Sequence, residues 1–339
     1  MNETLSFAIP SRGRIGDLTA AFMAACGMRI LRPNPKQYAA RVPSLPGVQV
    51  HMQRAADIIY QVSEGNADIG ITGYDLYLER RGEGSDVFVI HDDLGFSRAR
   101  LEIAVPDSWV DVSHIDDLAE LALNFRREGR DLRVATSYPR LVRDFLLSRS
   151  IQNFSLAEAG GSVEAAPAMG SADVIVDVVE TGTSLNENRL KMIGGGTILE
   201  SKACLIGCAR TLKSSTSKLE LTRKVLEFVD AYLDGSKAVT LTANVAGESE
   251  EQVAKLVMDQ TELAGVEGPT VSRLYSKSKN DVASWYAVSV TVRSRSLLAA
   301  VDHFRSIGAS SVIARPASYV FHEYSDSYRK LLDQLGIDP

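Results

Sequence analysis

Only three cysteines occur in 339 residues, Cys26, Cys204 and Cys208, and an odd, sparse set does not make a disulfide framework. Reduced thiols in a reducing compartment fit better. Cys204 and Cys208 stand four apart in SKACLIGCA, which puts both on one face of a strand, where small buried thiols pack. Long apolar runs are also missing. Stretches such as residues 172–179 fall far short of the roughly 20 residues that span a bilayer, and the opening MNETLSFAIPSRGR has no signal-like apolar core. The chain therefore reads as cytoplasmic, with no membrane partner. Positive charge is in deficit, 37 Lys and Arg against 43 Asp and Glu, for a formal net charge of −6. That balance lacks the broad basic face of a nucleic-acid binder, so any anionic ligand must meet local positive charge. The five histidines enter no HExxH or Cys-x-x-Cys partner set, which argues against a protein-ligated zinc centre. No GxGxxG and no Walker A spacing occurs, and a dehydrogenase reading loses its main support.

What remains is the usage of an ordinary globular protein, 45% hydrophobic and 24% charged, long enough for two or three domains. The first 235 residues alternate short β-branched runs with amphipathic stretches, which predicts α/β layers around a mainly parallel sheet. LSFAI reads as a strand, followed by a helix capped by Asp17, with Leu18, Phe22 and Ala25 on its apolar face and a stop at Gly27. A helix over 55–64 and the strand ADIGITG complete a strand-helix-strand unit, and LEIAVPD, RVATSYP and ADVIVDVV supply the strands of a second block. SKACLIGCA and the helix after it could return to the first block. Gly194, Gly195 and Gly196 read as a connection between strands. From Lys237 the order is βαββαβ, the ferredoxin-like arrangement of an antiparallel sheet with helices on one face, its first helix spanning Glu250 to Thr261. The expected division is lobe I at 1–98, completed by 195–235, lobe II at 99–194, a third domain at 236–326 and a tail at 327–339.

The densest chemistry lies in DVIVDVVETGTSLNENRL, where an apolar strand runs into Thr181, Gly182, Thr183 and Ser184. This is the shape of a phosphate cradle: Gly182 lets backbone approach an oxyanion, and hydroxyls and free amides donate to it. Asp177 and Glu180 flank the loop, where carboxylates could accept from ribose hydroxyls or hold Mg²⁺ through water. Sugar plus phosphate is the implied ligand. The plainer alternative is a capping box formed by Ser184 and Glu187. Ser11, Arg12, Gly13 and Arg14 follow the first strand, where α/β sheets bind anions, whereas Arg41 and Arg54 are candidates only as part of a set. Thr136, Ser137 and Tyr138 end another strand at the same kind of edge, and Glu164 opens a short helix in GSVEAAPAMGSAD.

The order of PSRGR, RAADI, GNADIGITGYDLYLE, RVATSYP, GSVEAAPAMGSADVIVDVVETGTSL, SKACLI and GPTVSRL resembles the ATP phosphoribosyltransferase family over nearly the whole chain. The extra C-terminal domain resembles the long form. The resemblance implies two periplasmic-binding-protein-like α/β lobes with the active site between them, plus the ferredoxin-like domain as a regulatory domain. It implies the first step of histidine biosynthesis, in which ATP and phosphoribosyl pyrophosphate (PRPP) give N1-(5-phosphoribosyl)-ATP and pyrophosphate, with Mg²⁺ required. Histidine is then the expected feedback inhibitor, and a dimer able to form a hexamer the expected assembly. Residue by residue, the family's PRPP loop falls on Asp177, Glu180, Thr181, Gly182, Thr183 and Ser184, with Glu164 beside it. Its basic positions fall on Arg12, Arg14 and Arg54, with Gly13 between the first two and Arg41 a further match, and Thr136 and Tyr138 lie in the nucleotide-side motif. Asp177, Glu180, Arg14 and Arg54 are the implied catalytic set. Thr270, Ser272, Ala309 and Ser310 fall on the histidine site, where Asn244 replaces an acid that some members carry. A two-lobed binding or sensor protein is the competing expectation, since its lobes would look alike at this level.

Overall fold

The computed structural model describes residues 4–32, 34, 37–82, 84–158, 162–260, 265, 268–275 and 284–338. Gly161 of the diagnostic segment and Thr261, the expected end of a helix, lie outside them. Two units are present, one of residues 1–224 with 330–339 and one of residues 225–329. The first holds two α/β lobes, each built on its own sheet.

The sheet of the first lobe has six strands in the order β2 (Ala39–Arg41), β3 (Val48–Gln53), β1 (Leu5–Pro10), β4 (Ile69–Gly73), β11 (Ala203–Cys208) and β5 (Val87–His91). The sheet of the second has five, β10 (Leu190–Ser201), β6 (Ala99–Pro106), β9 (Val174–Val179), β7 (Leu132–Thr136) and β8 (Phe154–Glu158). Both are mixed rather than mainly parallel. In the first, β3, β1 and β4 run parallel, but β11 is antiparallel to both its neighbours. The reason is connectivity: β11 re-enters from the second lobe, so its direction is set by that crossing and not by a helical crossover. In the second, β6 and β10 pair antiparallel through Ala99 and Ser201, so two chain segments pass side by side between the lobes.

Helix α1 (Gly13–Ala25) begins directly after Arg12, four residues before the expected cap at Asp17. Its buried face is Gly16, Thr19, Phe22 and Met23, with Leu18 half-buried and Ala25 exposed. Helix α2 (Ala55–Ser63) buries Ile58, Ile59 and Val62 against β4 and β11, and the thiols of Cys204 and Cys208 join that core. α3 (Tyr74–Arg80) follows β4 without a loop. In the second lobe α4 (Ile115–Arg127) and α5 (Pro139–Ser148) cover one face of the sheet with Leu118, Phe125, Val142 and Leu146. α6 (Thr183–Glu187) follows β9. The three glycines 194–196 are not a connection but a bulge inside β10, where the register shifts and Gly195 takes φ 71°. His114, the N-cap of α4, explains it, because a Cβ at Gly194 would lie 2.8 Å from its ring.

After α7 (Ala209–Lys213) and α8 (Thr216–Gly235) comes a four-stranded antiparallel sheet, β13 (Thr270–Arg273), β14 (Ser284–Arg293), β12 (Ala238–Gly247) and β15 (Val312–Pro316). With α9 (Glu250–Met258) and α10 (Leu297–Ser306) the order is βαββαβ. Val239, Leu241, Ala243 and Val245 face Val253, Val257 and Phe304 of the helices. α11 (Asp326–Leu335) ends the described chain, and no helix among the described residues is long and apolar enough to cross a membrane.

β4 tests the packing of α2 directly. A Cβ at Gly70 would lie 2.6 Å from Ile58 Cγ2, so Gly70→Ala should lower stability by about 1–3 kcal/mol in urea unfolding.

Candidate active site

β9 delivers the loop. Val174 to Val176 are fully buried, and the strand then emerges at its carboxyl end through Asp177 to Glu180. The turn that follows requires Gly182, which sits at φ 79° and ψ 0°, the left-handed region that side chains disfavour. Beneath it, Leu185 and Val163 enter a core of small residues, Ala104, Ala135, Ala166 and Ala172, with Ile175. That shared anchorage brings the loop beside the short turn Val163–Ala165, and Ser184 Oγ donates to Glu164 Oε1 over 2.7 Å. The hydroxyls of Thr181 and Thr183 lie 3.0 Å apart. No side chain caps α6, whose N-cap is Gly182 itself, so the capping-box alternative for Ser184 and Glu187 is not what forms. The result is a cavity of about 220 Å³ lined by Glu164, Asp177 and residues 178–185.

The first lobe faces it with positive charge. β1 and β3 are parallel with Pro10 opposite Gln53, so Arg12 and Arg54 emerge at one carboxyl edge. Both are extended N-cap residues, of α1 and α2, and neither helix start is closed by a side chain. Free amides at such an edge favour an anion. Gly13 gives α1 its first turn, and Arg14 crosses the cleft to pair with Glu180 of the second lobe. Hydroxyl- and carboxylate-bearing loop on one side and arginines on the other suit a ligand with both sugar hydroxyls and phosphates.

Asp177 is the electrostatically strained member. Burial, then the charges of Glu164 and Asp75, push its carboxyl up to about 6, against the pull of the Val178 N–H that it accepts at 2.8 Å.

Of three expected nucleotide contacts, one lies toward another edge and two are buried and engaged within the protein. Arg41 is not brought to this edge: β2 runs antiparallel to β3 and sets Arg41 opposite Gln49, toward the other end of the sheet. Thr136 is fully buried and its Oγ1 accepts the Tyr138 N–H at 3.0 Å. Tyr138 is buried too, and its hydroxyl donates to Asp75 Oδ2 of the first lobe at 2.6 Å. Sequence reading missed Asp75 and its second partner Ser201, because the carboxylate meets groups 63 and 126 residues away. It also missed an adjoining cavity of about 500 Å³ lined by Arg98, Arg100, Glu180, Glu200, Ser201 and Lys202. Its cations are engaged, Arg98 by Asp93, Arg100 by Glu102 and Lys202 by Asp92.

In the second unit Ser272, Ala287 and Asn244 form one row across β13, β14 and β12, on the face away from the helices. Ser310 N donates to Asn244 O at 3.0 Å, whereas the side chain of Ala309 packs against the helix-side core. Thr270 lies one pair along the same open face, opposite Ser289.

The family model for ATP phosphoribosyltransferase (HisG) matches residues 54–229, and that for the HisG C-terminal domain matches residues 236–318. The chain belongs to the ATP phosphoribosyltransferase family. It is of the long form: it is 36% identical to ATP phosphoribosyltransferase 2, chloroplastic, of Arabidopsis thaliana over 99% of its own length and 81% of that protein's. The ATP phosphoribosyltransferase of Mesorhizobium japonicum is 38% identical over 65% of the chain and 97% of its own length. Among solved structures, an ATP phosphoribosyl transferase (HisG:HisZ) complex from Thermotoga maritima shares the fold, with a TM-score of 0.52 and 23% identity over 67% of the chain and 96% of that one.

The raised carboxyl of Asp177 makes a stability prediction. The unfolded chain ionises this group near 3.8 and the folded one near 6, so it favours folding at low pH and that benefit is lost as the pH rises through about 6. Asp177→Asn should therefore gain on the wild type between pH 4 and pH 7.5, by about 1–3 kcal/mol in urea titrations at the two pH values.

Proposed function

We propose that the chain transfers the 5-phosphoribosyl group of PRPP to N1 of ATP, the first step of histidine biosynthesis. The observation that carries this reading is the 181–184 loop with its carboxylates in one lobe and, in the other, Arg14 paired with Glu180 at the sheet edge that also carries Arg12 and Arg54. In this reading the loop hydroxyls and amides hold the 5-phosphate, and Asp177 and Glu164 accept from ribose hydroxyls. The arginines take the pyrophosphate of PRPP and the phosphates of ATP. The adenine N1 lone pair attacks C1 of the ribose, the bond from C1 to the pyrophosphate oxygen breaks, and the anomeric carbon inverts. No covalent nucleophile is needed. Holding two substrates in line is worth about 7–11 kcal/mol of barrier, and the cations stabilise charge on the leaving oxygens.

Among the described residues no group of three or more His, Cys, Asp or Glu side chains is arranged to hold a metal. Asp177, Glu164 and Glu180 nonetheless offer hard oxygen ligands beside the loop, which suits Mg²⁺, an ion that takes one or two carboxylates with water and substrate phosphates. When bound it would supply charge neutralisation to the leaving pyrophosphate.

The open face of the C-terminal sheet, with Asn244, Thr270, Ser272 and Ser310, is the place we propose for inhibitory histidine. A homodimer that assembles further to a hexamer is the proposed form. Three free, buried cysteines support a reducing compartment such as the cytoplasm.

Pyrophosphate release should require ATP, PRPP and Mg²⁺ together and should fall when histidine is added; release that persists without ATP would contradict the acceptor assignment. Gly182→Ala should lower turnover by about a hundredfold while costing only about 1–2 kcal/mol of stability from the left-handed backbone. A loss of turnover no larger than the loss of folded protein would remove the loop from the phosphate site.

A further inference from the structure

The lobes are joined by more than the two passing strands. α3 belongs to the first lobe, yet Leu76 packs against the cores of both. Glu79, one turn on, accepts the N–H groups of Arg140 and Leu141 at 2.9 Å each, closing the first turn of α5 in the second lobe. At the head of α3 sits Asp75, 7% exposed. Its Oδ2 accepts the hydroxyl of Tyr138, the N-cap residue of α5, and its Oδ1 accepts the hydroxyl of Ser201, the last residue of β10, at 2.5 Å. Ser201 Oγ in turn accepts the Asp75 N–H at 3.1 Å. Tyr138 and Ser201 are 7% and 5% exposed. A carboxylate taken this far out of water is retained only where its hydrogen bonds are all made, so the three groups hold one geometry.

Its position decides what that geometry controls. β7 and β9 are neighbours with Thr136 opposite Val176, so Tyr138 leaves the sheet next to the strand end that carries Asp177 and the loop. Any change of angle at Asp75 moves the loop relative to Arg12, Arg14 and Arg54 with almost no intervening lever.

We infer that Asp75 is a positioning residue: by tying Tyr138 of the second lobe and Ser201 of the crossing strand to the first, it sets the lobe angle at which the arginines face the 181–184 loop. The inference rests on the transferase reading above, and it assigns Tyr138 to the joint rather than to ATP. Asp75 acts through Tyr138 and Ser201 and is not among the residues that line the loop cavity. The loop half-site lies within one lobe and is left intact, so the joint should govern turnover and not the binding of a ligand that occupies the loop alone.

The test uses the full-length protein with ribose 5-phosphate as the probe of the loop half-site. Tyr138→Phe and Ser201→Ala should each lower kcat about tenfold to a hundredfold, the scale of a small misplacement of reacting groups, while the Kd for ribose 5-phosphate stays within about twofold of wild type. Because both act through one carboxylate, the double variant should lose far less than the product of the single losses. Asp75→Asn, which keeps an acceptor and a donor, should retain more activity than Asp75→Ala, and thermal melts identify any variant that fails to fold. Single variants that fold and turn over like wild type, or a ribose 5-phosphate affinity that falls in step with kcat, would overturn the positioning role alone. A wild-type protein without turnover would overturn the transferase reading and this inference with it.

Discussion

The antiparallel insertion of β11 between β4 and β5 is the constraint on which the two-lobed unit depends. Residues 203–208 are buried throughout and pair on both sides, so the first sheet is continuous only when a segment made after the second lobe has returned to it. The return fixes the direction of β11, sets Ser201 at the crossing, and lays β10 beside β6 where the chain first leaves. The buried joint between the lobes is built on that double crossing. α3 wedges beside it with Leu76, and Asp75 closes it with two hydroxyls.

The cleft is divided by charge in a way that follows from topology. Parallel β1 and β3 bring Arg12 and Arg54 to the carboxyl edge of the first sheet, and β9 brings Asp177 to the corresponding edge of the second. A net charge of −6 could not attract a polyphosphate by itself. The arginines form a local exception, and Glu180 meets Arg14 across the gap, so the two edges already attract each other before any ligand enters. On the acidic side burial dominates: Asp177 holds its proton more tightly than a free carboxyl because water has been removed and Glu164 and Asp75 are near.

What the sequence disclosed was whatever could be read within one window. The hydroxyl-rich turn around Gly182 was legible because its glycine, hydroxyls and flanking acids are contiguous, and the βαββαβ order was legible because each strand keeps its own alternation. The start of α1 was not: it is set by an uncapped turn at Arg12 that leaves no side-chain signature, and Asp17 looks like a better cap than it is. The mixed direction of the sheets was hidden for a different reason, since hydrophobic pattern reports burial and carries no information on strand direction. Arg41 and Arg54 looked alike as single charges, and only the antiparallel pairing of β2 sends one away from the edge where the other sits. The interlobe tie, as a tie, had no local trace. Tyr138 stood out only as a strand-end candidate for the nucleotide, Asp75 and Ser201 not at all, and their joint meaning comes from contacts spanning 63 and 126 residues.

The late arrival of β11 also bears on how the protein is made. When β4 and β5 leave the ribosome, the strand that lies between them has not been synthesised, and residues 92–202 must emerge first. At about 5–20 residues per second that interval is on the order of 5–20 s. Throughout it, the sequence IGITG, buried along its whole length in the finished sheet, presents an unpaired apolar edge of the kind that recruits other chains. The segment that joins the lobes in the mature protein is thus also the one whose synthesis ends the nascent chain's exposure to aggregation.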